Sequence, residues 1–138
     1  MRELIKEHRY QLHDIFNADE SGLFYAMPPD HGLSDKQQSG VKGKKNQLMY
    51  LFMANADGSM KLPPLIIGKA QKPCAFKNKM GTQLGFYYQN NAKAWMTALL
   101  YQEWLLDWDQ KLRDEMRKIL LLQDNFAGHV IPDTLTNI

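Results

Sequence analysis

The run Gln47-Leu48-Met49-Tyr50-Leu51-Phe52-Met53-Ala54 is the strongest constraint on the fold. It is almost continuously apolar and only as long as a strand. It therefore lacks both the alternation of a half-exposed strand and the length of a helix. A strand of this kind belongs inside a sheet with both faces covered. Asn55-Ala56-Asp57-Gly58-Ser59 follows, and Asp-Gly is a strong hairpin signal. Leu62-Pro63-Pro64-Leu65-Ile66-Ile67 then returns as a further strand. Its two prolines cannot donate ladder hydrogen bonds, which predicts an edge position.

The other elements fit around this hairpin. Residues 1–11 read as a short polar helix or a tail. Residues 12–19 read as a strand that ends in acids and is broken by Ser21-Gly22. Residues 26–47 form a long polar stretch, and Phe86-Tyr87-Tyr88 a short extended piece. A helix is predicted from Ala94 to about Glu115, because Ala94, Ala98, Tyr101, Leu105, Trp108 and Leu112 make one apolar stripe. Tyr101, Trp104 and Trp108 on it read as core. Ile119-Leu120-Leu121-Leu122-Gln123-Asp124 is a buried strand ending in an acid, with Gln123 set to cost packing. Pro132-Asp133-Thr134 reads as the start of a second helix. The helical crossover makes the last strand parallel to an earlier one. If its neighbour is the first strand, Asp19 and Asp124 meet across 105 residues of sequence.

Charge is segregated. Residues 1–35 carry 3 basic and 7 acidic side chains, and residues 103–138 carry 4 and 7. Between them, residues 36–102 carry 10 lysines against the single acid Asp57. A polyanion is the natural partner of such a block, with solvated charge balanced by folded-over acids as the plainer reading. Lysine in place of arginine suits phosphate contacts better than the reading of base edges. Lys42, Lys44, Lys45, Lys69, Lys72 and Lys77 are the candidate nucleic-acid contacts. No apolar run approaches a membrane span, and no small-molecule site is indicated. Cys74 is the only cysteine, so no internal disulfide framework exists and a reducing compartment is expected.

Two aspartates at adjacent strand ends offer hard oxygen ligands to Mg²⁺ or Mn²⁺. Paired ions of that kind serve phosphodiester chemistry. Strands also end in aspartate simply as a turn residue, and on spacing alone that plainer reading is the favoured one for each aspartate taken singly. Alternation turns Glu20 away from Asp19, which argues against Glu20 as a ligand. Asn125 reads as a helix cap, and His129 either as a cap or as a residue that orients the site. His8, His13 and His31 share no metal-ligand spacing, and Cys74 has no histidine partner.

Asn17-Ala18-Asp19-Glu20-Ser21-Gly22-Leu23-Phe24-Tyr25 resembles the first-aspartate block of DDE superfamily transposases of the pogo, Tigger, jerky and centromere protein B type. The resemblance continues through Ala54-Asn55-Ala56-Asp57-Gly58-Ser59, Lys61-Leu62-Pro63-Pro64-Leu65-Ile66-Ile67-Gly68-Lys69 and Lys72-Pro73-Cys74-Ala75-Phe76-Lys77. Ala94-Trp95-Met96-Thr97 and Glu103-Trp104-Leu105 resemble the helix block. Lys118-Ile119-Leu120-Leu121-Leu122-Gln123-Asp124-Asn125, with His129, resembles the second-aspartate block. The resemblance implies an α/β, RNase H-like mixed sheet, three antiparallel strands and then a parallel one, flanked by helices. It implies Asp19 and Asp124 as catalytic metal ligands for Mg²⁺ or Mn²⁺, DNA as partner and the nucleus as location. In intact relatives it implies DNA strand transfer.

The family's third acid lies a few dozen residues past the second aspartate, whereas 14 residues follow Asp124 here and Asp133 is too close. The N-terminal helix-turn-helix region is also missing. Residues 1–138 are thus expected to be a partial catalytic domain with incomplete or absent activity and weakened metal binding. A non-enzymatic DNA-binding protein and a decayed remnant stay open beside it. The unpaired edge expected at the Asp124 strand predicts self-association.

Overall fold

A long apolar hairpin and one amphipathic helix set the architecture. The computed structural model describes residues 5, 8–25, 46–124 and 129–138. The polar stretch 26–45, with Lys42, Lys44 and Lys45, and the Asn125 cap lie outside the described residues, as does most of the N-terminal helix or tail.

Five strands form one mixed sheet: β1 (Ile15–Phe24), β2 (Gln47–Asn55), β3 (Leu65–Gly68), β4 (Tyr87–Asn90) and β5 (Leu120–Leu122). Their spatial order is β4-β3-β2-β1-β5. β1, β2 and β3 are successive antiparallel neighbours, while β4 joins β3 and β5 joins β1 in parallel. This is the expected RNase H-like arrangement with one further strand, β4, beyond β3. Among the described residues one α-helix, α1 (Ala98–Asp114), covers one face.

The hairpin closes as its sequence predicts. Gly58 takes φ +74°, and Asp57 accepts hydrogen bonds from the Ser59 amide and hydroxyl. Buried Asn55 donates to the His13 carbonyl and accepts from the Met60 amide, so the turn is tied to the segment before β1. Several expectations change. β2 is interior to the sheet, but not covered on both faces, since Phe52 is 51% exposed. β1 runs on through Ser21-Gly22 to Phe24, because pairing with β2 holds the extended backbone, Gly22 opposite Met49. β3 is internal: Pro63 and Pro64 precede the strand, and the Pro64 carbonyl accepts from the Tyr87 amide as β4 docks. No second helix starts at 132–134; a single turn there leads into an extended end held by Asp109.

The helix begins four residues later than its stripe suggests. Thr97 accepts from the Leu100 amide as N-cap, and Ala94 is buried with φ +52° in the turn built on Asn91. The stripe is otherwise as read. Tyr101, Trp104, Leu105, Trp108 and Leu112 pack on Phe16, Ala18, Leu51, Met53, Leu65 and Ile67. Trp108 meets Phe16 edge-on at 5.3 Å between ring centres, a favoured aromatic geometry.

Candidate functional site

Strand alternation decides what β1 presents to each side of the sheet. Phe16, Ala18 and Glu20 share the face that α1 covers, and Ile15, Asn17 and Asp19 share the other. The consecutive acids Asp19 and Glu20 therefore point to opposite faces, as alternation requires.

β5 pairs with β1 at a constant offset: Ile15 with Leu120, Phe16 with Leu121, Asn17 with Leu122. The same offset carried two residues further sets Asp124 level with Asp19. Beyond Leu122 the ladder ends, although the Asn17 side chain still donates to the Leu122 carbonyl. The conditional placement of β5 beside β1 is thus what the fold adopts.

The bonds of Asp124 lead to the helix face. Its Oδ1 lies 2.9 Å from Nδ1 of His129, whose Nε2 lies 2.6 Å from Oε1 of Glu20. The imidazole is 1% exposed, Glu20 13% and Asp124 64%, so the cluster runs from the interior out to solvent. The His129 ring stacks on Tyr101 at 4.4 Å, and the Tyr101 hydroxyl donates to Oε1 of Gln123. Burial first, then the Glu20 and Asp124 charges, push the Tyr101 phenol well above its usual pKa, so it stays protonated as that donor. Gln123, read as a packing cost, is instead the acceptor that lets a buried tyrosine sit in the core.

The donor chemistry suits a divalent cation. One ligand atom each from Glu20, Asp124 and His129 lie within 4.8 Å of one another, two of them carboxylate oxygens. Asp19 does not belong to this group. It faces a cleft of about 570 Å³ on the other side of the sheet, lined also by Asn17, Phe52, Lys61 and Leu122. Phe52 sits directly across from Asp19 and stacks on Tyr50 at 5.5 Å. Residue-by-residue reading set Glu20 aside because it turns from Asp19. What brings Glu20 into a cluster is the buried histidine 109 residues away, which alternation alone does not reveal.

Of the candidate lysines, Lys69, Lys72 and Lys77 are exposed on the connection from β3 to β4. Lys77 and Asn78 both take left-handed backbone, turning the chain there, and Phe76 packs edge-on against Phe86 and Tyr88 beneath the turn. No helix among the described residues is long and apolar enough to cross a membrane.

The family model for the DDE superfamily endonuclease matches residues 45–137. The chain belongs to that family. The matched span includes Asp124 and His129, while Asp19 and Glu20 precede it. Tigger transposable element-derived protein 4 of Mus musculus is 35% identical over 122 residues, covering 87% of this chain and 23% of that protein. CENP-B homolog protein 2 of Schizosaccharomyces pombe is 34% identical over 118 residues, covering 84% and 23%. The chain therefore spans about a quarter of the length of these relatives. The solved Mos1 transposase paired-end complex with left transposon end matches at a TM-score of 0.48 and 15% identity, over 94% of this chain and 34% of that one.

Proposed function

We propose that this chain supplies the metal-binding part of a DDE-type nuclease acting on DNA in the nucleus, with Asp19 and Asp124 as ligands to Mg²⁺ or Mn²⁺. What supports this reading is the parallel β1–β5 register in a chain of this family: continued two residues past the last pair, Asn17 with Leu122, its offset runs from Asp19 inside β1 to Asp124. Bound there, the cations would polarise a phosphodiester and activate the attacking oxygen. The residues of the chain do the rest. Asp19 and Asp124 bring hard oxygen donors, and Lys69, Lys72 and Lys77, with Lys42, Lys44 and Lys45, hold the DNA backbone. The three-residue strand β5 is an edge of the sheet, where a second copy would pair.

A second reading, DNA binding without cutting, is favoured by the placement of Asp19 on the opposite face from the Glu20–His129–Asp124 cluster. One experiment separates the two. The 138-residue chain is incubated with supercoiled plasmid in Mn²⁺ and in Mg²⁺, and its salt-dependent binding to duplex DNA is measured alongside. Metal-dependent nicking that is lost in both Asp19→Asn and Asp124→Asn supports the nuclease. Salt-sensitive binding with no nicking, equal in wild type and both variants, supports the binding protein. Absence of DNA binding at low salt sinks both.

A further inference from the structure

His129 is built into the fold more tightly than a helix cap requires. Its imidazole is almost wholly buried, and each ring nitrogen faces a carboxylate: Nε2 is 2.6 Å from Glu20, Nδ1 2.9 Å from Asp124. One ring face lies on Tyr101, whose own hydroxyl is fixed by Gln123 beside Asp124. Glu20 is anchored in turn, since it sits on a strand paired with β2 from Phe16 to Phe24. The order of rigidity therefore runs from the sheet, through Glu20 and His129, to Asp124. Asp124 lies past the last β5 ladder pair and has no strand of its own to aim it.

We propose that His129 is a positioning residue: clamped by Glu20 and the Tyr101 ring, it fixes the Asp124 carboxylate in the orientation that receives a divalent cation. This rests on the reading of Asp124 as a metal ligand. A carboxylate has about four acceptor sites, so accepting one N–H bond at Oδ1 leaves it competent to coordinate. An N–H donor on a ligating carboxylate narrows the orientations it samples before metal arrives. Outer-shell contacts of this kind are worth about 10- to 100-fold in metal affinity. Glu20 acts one step further out, by holding His129.

The test is Mn²⁺ affinity, followed by electron paramagnetic resonance, for the wild type and for Asp124→Asn, His129→Ala, His129→Asn and Glu20→Ala. Each variant is checked for a native circular dichroism spectrum. The asparagine at 129 places an amide N–H close to where Nδ1 sits, so it should restore part of what alanine loses. Expected are loss of binding in Asp124→Asn and a drop of about 10- to 100-fold in His129→Ala. His129→Asn should lie between alanine and wild type. Glu20→Ala should weaken binding about tenfold by releasing His129, to which its carboxylate is bonded. Electron spin-echo spectra of the bound ion should show no directly coordinated nitrogen.

Wild-type affinity in folded His129→Ala, with Asp124→Asn inactive for binding, overturns the positioning role and leaves the ligand assignment standing. A coordinated-nitrogen signal also overturns it, because His129 would then be a ligand. Unchanged affinity in Asp124→Asn removes the ligand assignment itself. Should His129→Ala not fold, Glu20→Ala and His129→Asn decide the matter by the same criteria.

Discussion

Asp109 holds the last residues of the chain against α1, and replacing it gives the sharpest test of how that region is built. Its carboxylate is almost completely buried, accepts from the Asn137 amide at 2.7 Å and the Thr136 amide at 3.2 Å, and pairs with Arg113 at 2.6 Å. Asn137 then donates to the Arg117 carbonyl, and its own carbonyl accepts from Ile119, the residue that leads into β5. Removing the carboxylate leaves two amides without their acceptor. A hydrogen bond to a charged group contributes about 1.5–3 kcal/mol, and breaking a buried pair costs about 3–5 kcal/mol. Arg113 is 40% exposed and regains water, so its share is discounted. Asp109→Ala should therefore cost about 3 kcal/mol, and Asp109→Asn, which keeps one acceptor for Asn137, about half of that. For a chain of this size 3 kcal/mol lowers the Tm by roughly 10 °C. Burial alone would raise the Asp109 carboxyl, but the Asn137 and Thr136 amides and Arg113 outweigh it and hold it below its usual 3.8. A carboxyl whose folded value is depressed contributes fully above its unfolded value and loses that contribution as pH falls through the folded one. Wild type should thus lose stability below about pH 4 more steeply than Asp109→Asn. Urea unfolding at pH 7 and pH 3, with amide exchange at Thr136, Asn137 and Ile119, measures all of this. A loss under 1 kcal/mol in Asp109→Ala, or unchanged exchange at those three amides, would refute the reasoning.

Other outcomes can be checked on the same material. A Cβ on Gly68 would lie 2.3 Å from the Tyr88 hydroxyl, which donates to the Ala70 carbonyl, and 3.1 Å from Leu48. Gly68→Ala should cost about 1–2 kcal/mol in urea unfolding, and less in a Tyr88→Phe background. Met116 ends α1 with φ +52°, is 91% exposed and leaves the Arg117 amide to close on the Leu112 carbonyl. Met116→Gly should raise stability by up to about 1 kcal/mol, and a lower melting temperature would contradict the left-handed cap. Replacing Lys69, Lys72 and Lys77 together with alanine should flatten the dependence of log K on log salt for duplex DNA by about 2–3. An unchanged slope would remove this loop from the interface.

The hairpin, the helix stripe and the crossover were legible because each rests on local chemistry: an apolar run, an Asp-Gly turn, a repeat of three and four. Whatever depended on a partner far along the chain was not. Pro63 and Pro64 suggest an edge strand only if they lie within the ladder, and the pairing of Tyr87 beside Leu65 starts the strand after them. Gly22 breaks a strand in isolation, but not one held by nine residue pairs to β2. Thr97 looks like an off-stripe polar residue until the left-handed turn at Ala94 makes it the cap. At the site, the parallel pairing of β5 with β1 follows from strand order, whereas Asp124 lies past the end of β5 and Asp19 lies inside β1. The burial of His129 follows from Tyr101 and Glu20 together, and no sequence spacing encodes that.

The Asp19-Glu20 pair shows why the site divides as it does. A one-residue slip of β1 would exchange the faces of the two acids, and it would also turn Phe16 and Ala18 out of the core. That exchange is closed, so each acid takes the surroundings of its own face. Glu20 meets the helix side, where a carboxylate is tolerated only with a partner, and His129 is that partner. Asp19 meets the open side, where a cleft lined also by Asn17, Phe52 and Lys61 reaches it. Asp124, beyond the end of β5, is the acid not bound to either face by strand pairing. The register of β1 thus sends two adjacent acids to different surroundings, Glu20 to the cluster with His129 and Asp124, and Asp19 to the cleft on the other face.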